Sequence, residues 1–365
     1  MVFRKSPDII FLAAAGFLTI FGLAMLTSAS SVLGYQKFGD AYFFIKRQLL
    51  HGLLPGLALF FLFLKIDYRR LKYFATPFLA ISLGFLILVL IPGIGTVYNG
   101  AKSWISIGFI SFQPSEIVKL TFLIYLAAYF EARREREMRD FWTGLVPFLL
   151  VIGMLSALMM LEPDMGTMAV ILISSFIVYF IAGAPVIHIV GVGGLGAALF
   201  FILIKIAPYR VMRLTTFLHP ELDPQGVGYQ INQALLAIGS GGLLGLGYGG
   251  SRQKFLYLPE PAGDSIFAIM AEEMGFLFLL IFFFALTVFF FRGIRIAKLA
   301  PDLFGRLLAA GIISWLMVQT LVNIGAMAGV APLTGLPLPF VSYGGTALLT
   351  SLAAVGIMGN ISRHS

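Results

Sequence analysis

Cysteine is absent from the 365 residues, which excludes disulfides, thiol catalysis and cysteine-built metal sites. Charge is scarce too, at 12% of residues against 59% hydrophobic. A soluble globule of this length carries about a quarter of its residues charged, so the chain is read as a polytopic membrane protein. Histidine is limited to His51, His188, His219 and His364, too dispersed for a metal constellation. No Walker lysine pattern occurs. The spacing Gly245, Gly247, Gly250 lacks the preceding strand and ribose acid that a nucleotide fingerprint needs. Repeats, low-complexity tracts and a soluble domain are also missing.

What is present is apolar runs of membrane length. A hydrocarbon core takes about 20 apolar residues per helical span, and spans are expected at 9–26, 44–64, 74–91, 117–130, 146–161, 165–181, 186–206, 265–291, 307–330 and 346–361. The small residues Ser28, Ala29 and Ser30 mimic a signal-peptidase site, but the run before them exceeds a signal h-region, so a retained first helix is expected. The expected fold is all-α, one unit over 1–365 with about ten transmembrane helices. Of the 25 basic residues, 15 fall in short loops on one side if the N-terminus is cytoplasmic: Arg4, Lys5, Lys65, Arg69, Arg70, Lys72, Arg133, Arg134, Arg136, Arg139, Arg292, Arg295, Lys298, Arg306 and Arg363. The positive-inside rule then puts both termini in the cytoplasm and a long loop, about 208–263, on the outer face between the seventh and eighth spans. The net charge of +8 is accordingly a topology signal and a contact for membrane lipids rather than a nucleic-acid footprint.

That loop is too apolar for disorder and too long for a plain connector. Its stretch Gln230–Ser240 suits a half-helix dipping into the outer leaflet with protein behind it. It ends in Pro259, Glu260, Pro261, Ala262, Gly263 and Asp264, delivering a carboxylate to the start of a long apolar helix. Asp264 suits an N-cap, which the helix's positive end would hold ionised, and equally a base at the membrane surface; the two roles are compatible. Seven glycines between Gly239 and Gly250 permit close backbone approach and, beside Arg252 and Lys254, a phosphate cradle. Glu116 and Lys119 share one face of a helix and can neutralise each other. Arg47 heads the second span on the outer side, and Glu162 with Asp164 forms an outward acidic turn. Glu272 and Glu273 lie roughly 12 Å deeper than Asp264 and read as interhelical hydrogen-bonding groups.

The motifs 100–105 (GAKSWI), 113–116 (QPSE), 162–167 (EPDMGT), 226–230 (GVGYQ), 237–242 (AIGSGG), 253–260 (QKFLYLPE), 271–275 (AEEMG) and 334–345 (TGLPLPFVSYGG), with Asp264 between them, resemble the SEDS family of bacterial cell-envelope proteins, which includes FtsW, RodA and SpoVE. The resemblance covers nearly the whole chain. Tyr209, Arg210, Arg213 and Phe217 before Pro220, and the ending 359–363, are more similar to FtsW than to RodA. One departure is Ala262, Gly263, Asp264, Ser265, where family members commonly carry His-Thr-Asp-Phe or a near variant.

The resemblance implies an inverting glycosyltransferase that polymerises lipid II at the outer face of the bacterial cytoplasmic membrane, beside a class B penicillin-binding protein and other divisome or elongasome proteins. It implies Asp264 as the catalytic base. Arg47, Lys119, Arg210, Arg213 and Lys254, with Glu116, are the candidates for binding the substrate and its diphosphate. No organic cofactor is expected, and a divalent cation, Mg or Mn, is a candidate arriving with the substrate phosphates. Two other readings compete: a lipid II transporter using Glu116, Lys119, Glu272 and Glu273 as an intramembrane path, and a non-catalytic division scaffold. Neither paired broken helices nor an inverted repeat is visible for the first, and the second leaves the polar outer segment without a task.

Overall fold

The structure, a computed structural model, describes residues 6–98, 101–107, 110–194, 196, 219, 223 and 226–364. Its principal helices are α1 (Ile9–Phe38), α2 (Phe43–Lys65), α3 (Tyr68–Leu90), α4 (Pro114–Glu131), α5 (Phe141–Leu161), α6 (Met165–Ile181), α7 (Val227–Ser240), α8 (Ile266–Leu299), α9 (Leu303–Met327) and α10 (Gly345–Ser362). Seven of these, α1, α2, α3, α5, α8, α9 and α10, are long and apolar enough to cross a membrane. Helix α6 is shorter at 17 residues, and α4 carries Glu116, Lys119 and Glu131 within its 18. Nine of the ten expected spans therefore coincide with described helices. The tenth, 186–206, is helical over 186–194, and most of the rest lies outside the described residues. Ser28, Ala29 and Ser30 are buried inside α1.

Helix ends follow side-chain chemistry. Asp8 caps α1 by accepting from Phe11 N at 3.0 Å, Asp164 caps α6 through Thr167 N at 3.1 Å, and Asp302 caps α9 through Gly305 N at 2.7 Å. Close packing relies on small residues, as expected where lipid offers apolar side chains no gain over protein. Gly52 and Gly56 on α2 bring that helix against the backbone of Gly345 and Leu349 on α10, where an added Cβ would stand 3.2 and 3.1 Å from their Cα atoms.

One end of the bundle gathers the start of α1 and the end of α10. Asp8 accepts from Arg292 Nη2 at 2.6 Å and Nε at 3.0 Å, while its N–H donates to Ser362 Oγ at 2.9 Å. Tyr68 and Arg69 both donate to Asp302. Asp8→Ala removes a helix cap and a fork of charged hydrogen bonds together, so it is expected to cost about 1–2 kcal/mol. A lower thermal midpoint in detergent micelles, with activity per folded molecule retained, is the measurement that checks it.

At the opposite end a three-stranded antiparallel meander, β1 (Gly95–Tyr98), β2 (Ala101–Ile107) and β3 (Ile110–Phe112), covers the connection between α3 and α4. This small sheet was not foreseen in an all-α reading. Helix α7, about 21 Å long, is too short to span. It starts beside Ser265, to which Gln230 donates, and ends where Gly241 meets the backbone of Ala271. It thus lies along the first turns of α8, a short helix with protein behind it.

Helix α8 is broken. Gly275 sits at φ 69 and ψ 177, a conformation that glycine adopts without steric cost. The backbone groups freed there are paired by the glycine-rich loop after α7: Phe276 N donates to Gly242 O and Leu277 N to Leu243 O, while Leu246 N and Gly247 N donate to Glu272 O and Glu273 O. Gly245, at φ 78, and Gly275 touch backbone to backbone, leaving no room for a Cβ on either.

Candidate active site

The loop before α8 is a sequence of tight turns. Pro259 and Pro261 restrict it, Glu260 takes φ 48, and Gly263 N donates back to Glu260 O at 3.0 Å. Helix α8 begins at Ile266 with Ser265 at the N-cap position and no side-chain cap bond. Asp264 therefore does not cap the helix, which corrects the expectation drawn from its position. Its half-buried carboxylate instead accepts through Oδ1 from Gln230 Nε2 at 3.4 Å and from Ser265 Oγ at 3.5 Å. Nor is it held firmly ionised. Desolvation, reinforced by the nearby Glu260 charge, outweighs those two hydrogen bonds and pushes the Asp264 carboxyl up to about 7.

A strap between α9 and α10, residues 334–344, fixes this loop from behind. Ser342 Oγ donates to Gly263 O at 2.7 Å and accepts from Leu338 N at 2.8 Å, and Tyr343 N donates to Ala262 O at 2.8 Å. Asn323, on α9, donates through Nδ2 to Asp264 O at 2.9 Å and to Leu336 O at 2.7 Å. Two carbonyls facing one nitrogen fix the amide's orientation, because a flipped amide would bring oxygen against oxygen. Gln48, buried on α2, donates to Ser342 O and accepts from Gly344 N. Next to it Arg47 is exposed and stacked 4.9 Å over Phe43, with its charge beside Tyr343. Arg47 is thus brought to the strap that supports Asp264. The motif 334–345 marked the strap in the sequence, but the parts played by Asn323, Ser342 and Gln48 arise from contacts between distant segments and carry no local signal.

Two of the expected phosphate ligands lie elsewhere. Lys119 is buried, 2.7 Å from both Glu116 Oε1 and Gln319 Oε1, with its ammonium 5.2 Å over the Trp315 ring. Gln319 in turn donates to Pro337 O of the strap at 2.8 Å, so the Glu116–Lys119 pair braces the strap from below. Lys254 is buried with its three protons directed at Glu273 Oε1 (2.9 Å), Gly249 O (2.7 Å) and Ser28 Oγ of α1 (3.1 Å). Both ammonium groups are thus engaged within the chain, Lys254 by three acceptors and Lys119 by two and the face of Trp315. The expected phosphate cradle is filled in the same way. Ser251 Oγ and the backbone N–H groups of Arg252 and Gln253 converge on the Glu272 carboxylate. Arg210 and Arg213 lie outside the described residues.

The acidic turn after α5 divides in two. Asp164 caps α6 and also accepts from Ser115 Oγ at 2.9 Å and Gln113 Nε2 at 3.3 Å. Glu162, expected to face outward, is fully buried, and neither of its carboxyl oxygens has a hydrogen-bond partner among the described residues. Desolvation, with a smaller part from Asp164, pushes Glu162 up to about 8. The turn abuts the same strap, since a Cβ on Gly166 would stand 2.8 Å from Thr334 O. Among the described residues no three His, Asp or Glu side chains converge as a metal set.

Comparison with known proteins places this geometry in context. A family model covering FtsW, RodA and SpoVE, described as cell cycle protein, matches residues 8–365. Stage V sporulation protein E of Bacillus subtilis is 43% identical over 362 residues, 99% of this chain and 98% of its own. A probable peptidoglycan glycosyltransferase FtsW of Trichlorobacter lovleyi is 39% identical, covering 97% of this chain and 93% of its own. Among solved structures, a chain of a peptidoglycan synthase complex that coordinates polymerization and crosslinking superposes with a TM-score of 0.80 at 29% identity, over 98% of each chain. The rod shape determining protein RodA of Thermus thermophilus superposes with a TM-score of 0.71, also at 29% identity, over 98% of this chain and 97% of its own.

Proposed function

The chain belongs to the FtsW, RodA and SpoVE family of cell cycle proteins, and from that premise we propose that it is a multi-pass membrane glycosyltransferase that polymerises lipid II into peptidoglycan strands, with Asp264 as its general base. One observation carries the assignment of the base: a half-buried carboxylate with one oxygen held and its affinity for protons raised to about 7, seated on a rigid, strap-supported loop. A base poised near the working pH is ionised often enough to act and still strong enough to take a proton.

In the proposed reaction the Asp264 carboxylate takes the proton of the acceptor C4 hydroxyl as its oxygen bonds to the donor anomeric carbon. The bond from that carbon to the lipid diphosphate breaks with inversion, and the diphosphate leaves with the electron pair. No acid is needed on the leaving group, whose charge asks for neutralisation rather than protonation. Arg47 at the strap, with Arg210 and Arg213 in the preceding loop, are the cations assigned to it. Both termini are assigned to the cytoplasm. Arg69, Arg292 and Arg363 share their end of the bundle, in keeping with the positive-inside rule, so Asp264 faces outward. A class B penicillin-binding protein is the partner that would cross-link the product, in keeping with the synthase complex among its structural neighbours.

The test is reconstitution of the purified chain in liposomes with fluorescent lipid II in both leaflets. Polymer longer than the dimer, formed by the chain alone, is the expected result. Movement of lipid II between leaflets without polymer would sink this reading in favour of transport, and neither activity would favour the scaffold.

A further inference from the structure

We propose that Gln230, on the short helix α7, is the positioning residue of this reaction: its amide pins one oxygen of Asp264 so that the other, Oδ2, is the atom presented to the acceptor hydroxyl. The inference rests on the reading of Asp264 as the base and goes beyond it by naming the reactive oxygen and the group that selects it.

The geometry is a small triangle. Gln230 Nε2 reaches Ser265 Oγ at 3.0 Å and Asp264 Oδ1 at 3.4 Å, and Ser265 Oγ reaches the same Oδ1 at 3.5 Å. An amide nitrogen carries two protons, and both are used in this corner. All the side-chain bonds to the carboxylate fall on Oδ1. The main chain of the same residue is fixed separately, by Asn323 at its carbonyl, so only rotation about the side-chain bonds is left to Gln230 to restrain. A carboxylate free to rotate would present either oxygen; one whose Oδ1 is bonded to a helix is pre-organised, and such alignment contributes to rate without adding substrate affinity.

Gln230 also acts on the proton affinity of the base, because a donor stabilises the ionised form. The groups that face the carboxylate can be enumerated by element. Glu260 on its own loop contributes a negative charge and opposes ionisation. Helix α7 contributes the neutral Gln230 and the N-cap position of α8 the neutral Ser265, while Asn323 of α9 and Ser342 and Tyr343 of the strap bond to main-chain carbonyls of the loop, with the Arg47 charge of α2 beside Tyr343. Gln230 is therefore positioned to counter Glu260.

Purified wild type, Gln230→Met and Gln230→Lys are to be compared in lipid II polymerisation between pH 5.5 and 9, with thermal midpoints measured alongside. Methionine keeps the length and removes the donor; lysine replaces it with a charged one. For Gln230→Met the acid limb of the kcat profile should move up by about half to one pH unit, with a rate at pH 7 lowered about two- to five-fold by that shift alone and KM nearly unchanged. For Gln230→Lys the limb should move down. Opposite displacements are the signature, since a merely structural role would lower both plateaus and leave the inflection in place. Inflections unchanged in both folded variants would overturn the positioning role while leaving Asp264 as the base. Full activity in Asp264→Asn is a separate result, and it would bring down the base itself.

Discussion

Asp264→Asn is expected to lower lipid II polymerisation by about a hundred- to ten-thousand-fold, the range that a positioned general base contributes, with folding intact. Asparagine matches aspartate in shape and can still accept the Gln230 and Ser265 hydrogen bonds at Oδ1. What it lacks is the ability to hold a proton, so the loss isolates that step from positioning. The wild type supplies the matching pH dependence. With the carboxyl pushed up to about 7 by desolvation and by Glu260, kcat/KM should fall about tenfold per pH unit below that value and level off above it. The direction is fixed by chemistry: the base works when ionised, and raised proton affinity moves the onset of activity toward higher pH. Glu260→Gln removes the charge that helps raise it and should shift the onset downward. An Asp264→Asn variant within tenfold of wild type, or a wild-type profile flat between pH 5.5 and 9, would refute the assignment.

Helices were the legible part of this fold, because each apolar run had to bury or face lipid over membrane length, and nine of the ten spans correspond to described helices. Asp264 stands out as a candidate for a different reason: an acid after two prolines at the mouth of an apolar helix has few local uses. Its local geometry was not legible. The capping geometry expected from position gives way in the structure to a carboxylate turned toward α7, because Gln230 lies 34 residues earlier and its approach depends on how the half-helix packs. The glycines of 239–250 suggested close backbone approach, and they do approach, but toward the Gly275 break and the Glu272 carboxylate of the same chain rather than toward a ligand. Lys119 and Lys254 are both buried and paired within the chain, and the sequence shows this unequally. Glu116, three residues before Lys119, is legible as its partner, whereas Lys254 is answered by Glu273 and by Ser28 on α1, 226 residues away.

Replacing Glu162 by glutamine should stabilise the protein above neutral pH, an unusual direction for a change at a fully buried position. The carboxyl has no hydrogen-bond partner among the described residues and is pushed up to about 8 by burial and by Asp164, against an ordinary value of 4.5. The folded state therefore keeps its proton where the unfolded chain releases it. Its contribution to stability is fully present below about 4.5, is lost as pH rises toward 8, and changes little beyond. Glutamine is nearly isosteric with the protonated acid and does not titrate. The two proteins should unfold alike at pH 5 and separate progressively to pH 9, where the variant should be more stable by about 3 kcal/mol, an order of magnitude set by the size of the shift. Thermal midpoints in detergent at pH 5, 7 and 9 would measure this; parallel midpoints, or a variant less stable at pH 9, would count against it. Because the turn bearing Glu162 rests on the strap that supports Asp264, the same comparison made on activity tests whether ionising this buried acid loosens the site. Polymerisation by Glu162→Gln should then hold up at pH 9 at temperatures where the wild type has begun to fail.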